Sequence, residues 1–282
     1  MNQDKKLKKL YFKKLSNGKN ILMSYGSNLL LVDNYEDLSN ISDLPLDDSF
    51  FLKDGEIEKI LPDENSNFKN ILLFLLTFIS LSITLVFTFI FKIPTGRYIL
   101  NTGFNIYLSI IITLTFSFIV ALIHEFMHII YAKNFGYLKN GGIKFKNIGV
   151  FTVEIDHIWL WNKKSRISTL MAGISFELIL MSLMYIFYFF NNYTIIMSFI
   201  SILWFKIIWQ FQLHKKYDVH LIAMMIIDDP FIEQDYKNLD YNKKNAKVWI
   251  LLKILGFFVQ IILIVFWAVP LLFSIYNLFK GV

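Results

Sequence analysis

The chain contains no cysteine. That excludes disulfides, thiolate metal sites and a cysteine nucleophile, and it leaves His, Asp and Glu as the metal-ligand inventory. Charge is also scarce. Asp, Glu, Lys and Arg make up 18% of the 282 residues, against about a quarter in a soluble domain. The N-terminus is polar and Lys-rich, and it lacks the apolar core of a cleavable signal peptide. There is no internal repeat and no low-complexity tract. No Arg-rich reading helix or basic–aromatic stripe marks the chain for nucleic acid. The net charge of +6 comes instead from Lys and Arg flanking apolar runs, as the positive-inside rule expects.

Apolar residues are what the chain has in excess: 55% are hydrophobic and 17% aromatic. Several uncharged runs reach the roughly 20 residues needed to cross a bilayer. The expected fold is an α-helical polytopic membrane protein with about five to six transmembrane helices. Residues 1–70 are expected to form a cytoplasmic N-terminal region and 71–282 the membrane domain. The spans fall at about 71–92, 104–134, 165–190, 193–227 (interrupted near 214–217) and 248–279. Gly136 is the expected stop of the second helix. Pro270 should kink the last one, which is longer than a single crossing requires.

Two stretches read as β-structure. Residues 21–32 suggest a hairpin turning at Gly26-Ser27. In 141–156 the apolar period changes, with Ile143, Phe145, Ile148, Val150, Val153 and Ile155 suggesting strands broken by Gly149. Basic residues gather before the first span, between the second and third, and after the fourth. Asn191-Asn192 forms a turn with none. A cytoplasmic N-terminus and an odd number of spans satisfy this asymmetry.

The chemistry concentrates at His124-Glu125-Phe126-Met127-His128. Residues four apart share one helix face, so the two imidazoles can bind one zinc ion. Glu125 beside them can hold a water and take its proton. Three ionisable groups within five residues at the end of an apolar span are costly unless paired or functional. A catalytic zinc site usually takes three protein ligands. The remaining candidates are His157, His214, His220, Asp156, Glu177 and Asp218. Asp218 is the best placed, because it opens an apolar stretch after Lys215-Lys216 at the depth of His128; a helix N-cap is its competing role. Glu177, an isolated acid in the third span, should face the bundle interior. It would be a partner for a ligand His, a replacement ligand, or a carboxyl kept protonated by burial.

With these residues in place, the chain resembles the site-2 protease family of intramembrane zinc metallopeptidases, and within it the bacterial peptide zinc metalloproteases. Three elements carry the resemblance in order: His124-Glu125-Phe126-Met127-His128; Arg166 to Gly173, similar to an Ala-Gly-Pro segment opening the next span; and Tyr217-Asp218, similar to a Leu-Asp-Gly. The resemblance implies Zn2+ held by His124, His128 and Asp218, with Glu125 as the catalytic residue. It implies a membrane-associated peptide or protein substrate, added as a strand to the 141–156 β-element. Val219, Ile174, Glu177 and Gln210 depart from the family's pattern. Glu177, Gln210 and His220 are therefore expected as supporting or substrate-binding residues. The expected location is the cell membrane, multi-pass, with the active-site side cytoplasmic. The rival expectations are a transporter or immunity-type membrane protein, and a zinc-binding pseudoprotease without cleavage.

Overall fold

The computed structural model describes residues 6–32, 44–52, 57–133, 143–147, 150–153, 155–233 and 243–280. The protein is mostly helical, with a small N-terminal sheet. Strands β1 (Tyr11–Lys14), β2 (Asn20–Met23) and β3 (Leu30–Val32) form an antiparallel sheet in the order β1-β2-β3. The β2–β3 pair, in register Asn20↔Val32 to Leu22↔Leu30, is the expected hairpin. Gly26 supplies its positive φ of 76°, which only glycine takes without strain. β1 was not foreseen.

Helices α1 (Asn67–Phe91), α2 (Ile106–Ala132) and α3 (Lys163–Asn191) match the first three expected spans. Each starts on a side-chain cap that satisfies an orphan backbone N–H. Ser66 accepts from Lys69, Asn105 from Leu108 and Asn162 from Ser165. α2 ends at Ala132 on a left-handed Lys133 (φ 53°), ahead of the expected stop. Gly136 lies outside the described residues, as does Gly149. β4 (Ile143–Asn147) and β5 (Val150–Val153) form the expected antiparallel hairpin beside α2. Asn192, also left-handed (φ 55°), makes the turn after α3.

The fourth expected span is interrupted, with the break beginning a few residues earlier than expected. Residues 193–227 form two short helices, α4 (Thr194–Gln210) and α5 (Asp218–Ile227), separated by residues 211–217. Both are shorter than the long apolar helices, and among the described residues four helices are long and apolar enough to cross a membrane. The fourth of these spans Lys247–Asn277. It joins α6 (Lys243–Leu263) to α7 (Val269–Lys280) through a π-helical turn, Ile264–Ala268. The turn lies where Pro270 would collide with the carbonyl four residues before it. The expected kink is thus absorbed as a widened turn.

α3 is the central post. In its most apolar window 56% of residues are buried, against 17–22% in the other three long helices. α1, α2, α4 and α5 all pack on it. Small polar residues join α1 to α3: Thr77 donates to Ser175 at 2.6 Å, and Asn70 to Ser165 at 2.9 Å. Such groups allow close approach and bind helices where the surroundings are apolar.

The N-terminal sheet is docked on one end of the bundle. Leu15 and Ile21 share a core with Trp159, Trp161, Leu170 and Met224. Lys13 donates to the Trp161 carbonyl. Burial, and then the nearby Arg166 charge, lower its ammonium to about 8.

Candidate metal centre

His124 and His128 lie in the last turns of α2, one turn apart, and are 4% and 3% exposed. Asp218 is the first residue of α5, after Tyr217 as N-cap. α3 runs between the two helices, so residues 90 apart in sequence meet. The Asp218 Oδ2 atom lies 2.8 Å from His124 Nε2 and 3.1 Å from His128 Nε2, and the two Nε2 atoms are 3.2 Å apart.

Hydrogen bonding on the far side of each ring fixes what these three atoms present. His128 Nδ1 is 2.9 Å from the Thr169 carbonyl, which can only accept, so this nitrogen carries the proton. His124 Nδ1 lies 3.1 Å from Glu177 Oε1 and donates to it when that carboxyl is ionised. With each imidazole neutral, as a metal ligand must be, a bare Nε2 lone pair would face the carboxylate oxygen. In that state three electron pairs within about 3 Å would repel unless a proton or a metal cation sat among them. A tetrahedral ion with bonds of about 2.1 Å needs ligand atoms about 3.4 Å apart. The donor set fits that ion in type and spacing, and it is the group among the described residues that could hold a metal.

Three further residues complete the surroundings. Gly173 of α3 packs directly under the His124 imidazole. A Cβ there would overlap its Nε2, Cδ2 and Cε1 atoms, which explains a glycine in mid-helix. Gln210, the last residue of α4, accepts from the Asp218 backbone N–H at 3.4 Å. Glu125 is half-buried, within electrostatic range of both histidines and of Asp218. It makes no hydrogen bond to a described residue, which leaves its carboxylate available.

The structure thus brings together His124, His128 and Asp218, with Glu125, Glu177 and Gln210 around them. It does not bring His220. That side chain is fully buried, with Nδ1 donating to the Leu213 carbonyl at 2.8 Å and its ring against Trp249. Its partners lie on the 211–217 segment and α6, away from the centre. His157 donates to the Ala132 carbonyl at 2.9 Å, behind the end of α2, and burial lowers it to about 4, so it stays neutral. His214 stacks on Phe257, and Asp156, itself exposed, opens a 3₁₀ turn whose next three residues are buried. Sequence reading missed Lys206, which lies in electrostatic range of Glu177 and Glu125. It is the one charged residue between Tyr193 and Leu213, and a charge alone in an apolar run is the signal that could have found it.

Comparisons with protein-family models, with curated proteins and with solved structures give no match.

Proposed function

We propose that the protein is a zinc-dependent endopeptidase of the membrane, acting on a membrane-associated peptide or protein within or at the edge of the bilayer. The observation that carries this reading is the convergence of two imidazole nitrogens and one carboxylate oxygen, with an unengaged glutamate beside them. Two nitrogens and one oxygen suit zinc, and three protein ligands leave a fourth position for the reactants. Zinc held there would polarise a water and a peptide carbonyl. Glu125 takes a proton from the attacking water as the oxygen bonds to the carbonyl carbon. It then returns that proton to the amide nitrogen as the C–N bond breaks. Glu177 and the Thr169 carbonyl hold the histidines in the ligand tautomer. The four long apolar helices support a membrane location, and the Lys-rich loops support a cytoplasmic active-site side.

Purified protein tests this directly. One zinc per chain should bind, and its addition should raise the melting temperature, since a ligand of the native state stabilises it. Asp218→Ala should lose the zinc. Glu125→Gln should keep it while cleavage falls by at least about a hundredfold. Undiminished cleavage by Glu125→Gln would refute the assigned mechanism. Absence of metal in the wild type would instead favour a transport or immunity role for the buried acids.

A further inference from the structure

Lys206 is half-buried on α4, between the buried Leu203 and Ile207. Those two residues belong to an apolar cluster that also takes in Val120 of α2 and Ile174 and Leu178 of α3. Val120 is one turn from His124, and Ile174 and Leu178 bracket Glu177. Gln210, four residues on and therefore on the same face, touches the backbone of Asp218. The lysine thus belongs to the wall that holds the metal centre. It acts electrostatically on Glu177 and Glu125, yet it makes no ion pair or hydrogen bond to a described residue. Glu177 has the matching peculiarity: its Oε2 atom is buried without a partner.

A lone ammonium in an apolar helix costs several kcal/mol unless something compensates it. Here the compensation is a surplus of negative charge. Glu125, Glu177 and Asp218 bring three carboxylates to a centre whose metal would bring two positive charges. Peptide hydrolysis moves one of these negative charges: as the water oxygen bonds to the carbonyl carbon, Glu125 takes the water's proton and becomes neutral, and the C=O electron pair moves onto the carbonyl oxygen. The new oxyanion then lies beside the Glu177 and Asp218 carboxylates, and a fixed positive charge facing it favours the step. We propose that the Lys206 ammonium is this charge, a residue that stabilises the oxyanion in the same site. The inference rests on the peptidase reading.

The test uses the full-length zinc-loaded protein in proteoliposomes. The probe is an apolar peptide of about 20 residues carrying a fluorophore and a quencher, with Lys206→Met and Lys206→Arg compared to wild type. Lys206→Met should keep its zinc and its KM while kcat falls by about a hundredfold or more, and Lys206→Arg should recover much of the loss. A second readout does not depend on turnover. A hydroxamate-terminated apolar peptide, whose anionic oxygen mimics the oxyanion, should bind Lys206→Met at least about tenfold more weakly than wild type, with Lys206→Arg between. If kcat and hydroxamate affinity are unchanged in Lys206→Met while wild type cleaves the probe, the lysine has no such role and the peptidase reading stands. If wild type binds zinc but neither cleaves the probe nor binds the hydroxamate, the peptidase reading fails and this inference fails with it.

Discussion

At the scale of single residues, the centre depends on an absent side chain as much as on those present. Gly173 sits in the middle of α3, where glycine costs up to about 1 kcal/mol relative to alanine. By helix propensity alone, Gly173→Ala should stabilise the protein. The added methyl, however, would overlap an imidazole that is already held by Glu177 on one side and Asp218 on the other. Overpacking of this kind costs about 1–3 kcal/mol, so it outweighs the propensity gain. The ring must rotate or the helices must part, and both misalign His124. Gly173→Ala should keep its helical circular dichroism and bind zinc about 10- to 100-fold more weakly, the range seen when the support of a ligand is disturbed. Isothermal titration of zinc into the stripped protein measures it, and an unchanged affinity would remove the argument. Sequence could single out His124, Glu125, His128 and Asp218, because ionisable groups in apolar runs stand out. It could not show that Gly173 lies beneath a ligand, since that contact joins different helices and leaves no local pattern.

At the scale of elements, α5 connects the centre to the N-terminal sheet. The helix is ten residues long. Asp218 at its start belongs to the candidate metal centre, and Asp228 at its end is held by the sheet and by α3. Arg166, 2% exposed, donates to Asp228 Oδ1 at 2.7 Å, and the Ser16 backbone N–H donates to Oδ2 at 2.8 Å. Next to it, Lys19 pairs with Asp229 at 3.1 Å. Burial alone would raise the Asp228 carboxyl, but the bonds from Ser16 and Arg166 outweigh it and hold the group below its ordinary value of 3.8. A depressed carboxylate stabilises the fold at pH above its unfolded value, and that contribution disappears as pH falls through the folded value. The docked sheet should therefore loosen below about pH 4 and remain docked at neutral pH. Asp228→Asn should remove that acid step. Asp228→Ala, which leaves Arg166 buried and unpaired, should cost about 3–5 kcal/mol. Limited proteolysis of residues 6–32 across a pH series reads the loosening, and an identical acid step in Asp228→Asn would assign it to another group. The hairpin at Gly26 and the three long spans were legible because turn chemistry and apolar run length are local signals. β1 was not, since its four residues acquire strand character only by pairing with β2. The break at 211–217 fell earlier than expected because α4 stops where Gln210 turns toward Asp218, a tertiary demand.

At the scale of the whole molecule, the question is how the described helices relate to a bilayer. α4 has 17 residues, about 26 Å at 1.5 Å per residue, slightly short of a hydrocarbon core of about 30 Å. α5 is too short to cross. The metal centre lies at the end of the bundle that carries the N-terminal sheet, and α4 leads back to it from the Asn191–Asn192 turn. If α4 crosses, that turn and the centre lie on opposite faces, and the chain makes five crossings despite having four long helices. The same lack of cysteine that excluded thiolate chemistry makes this testable, because a single introduced thiol has no background. Asn191→Cys should react with an impermeant maleimide added to intact cells. Lys216→Cys, whose native side chain is 74% exposed, should react only after the membrane is opened. Labelling of both positions from one side would place α4 as a re-entrant element. The centre would then open toward the same face as the turn, and the Lys-rich loops would no longer predict the side from which substrate arrives.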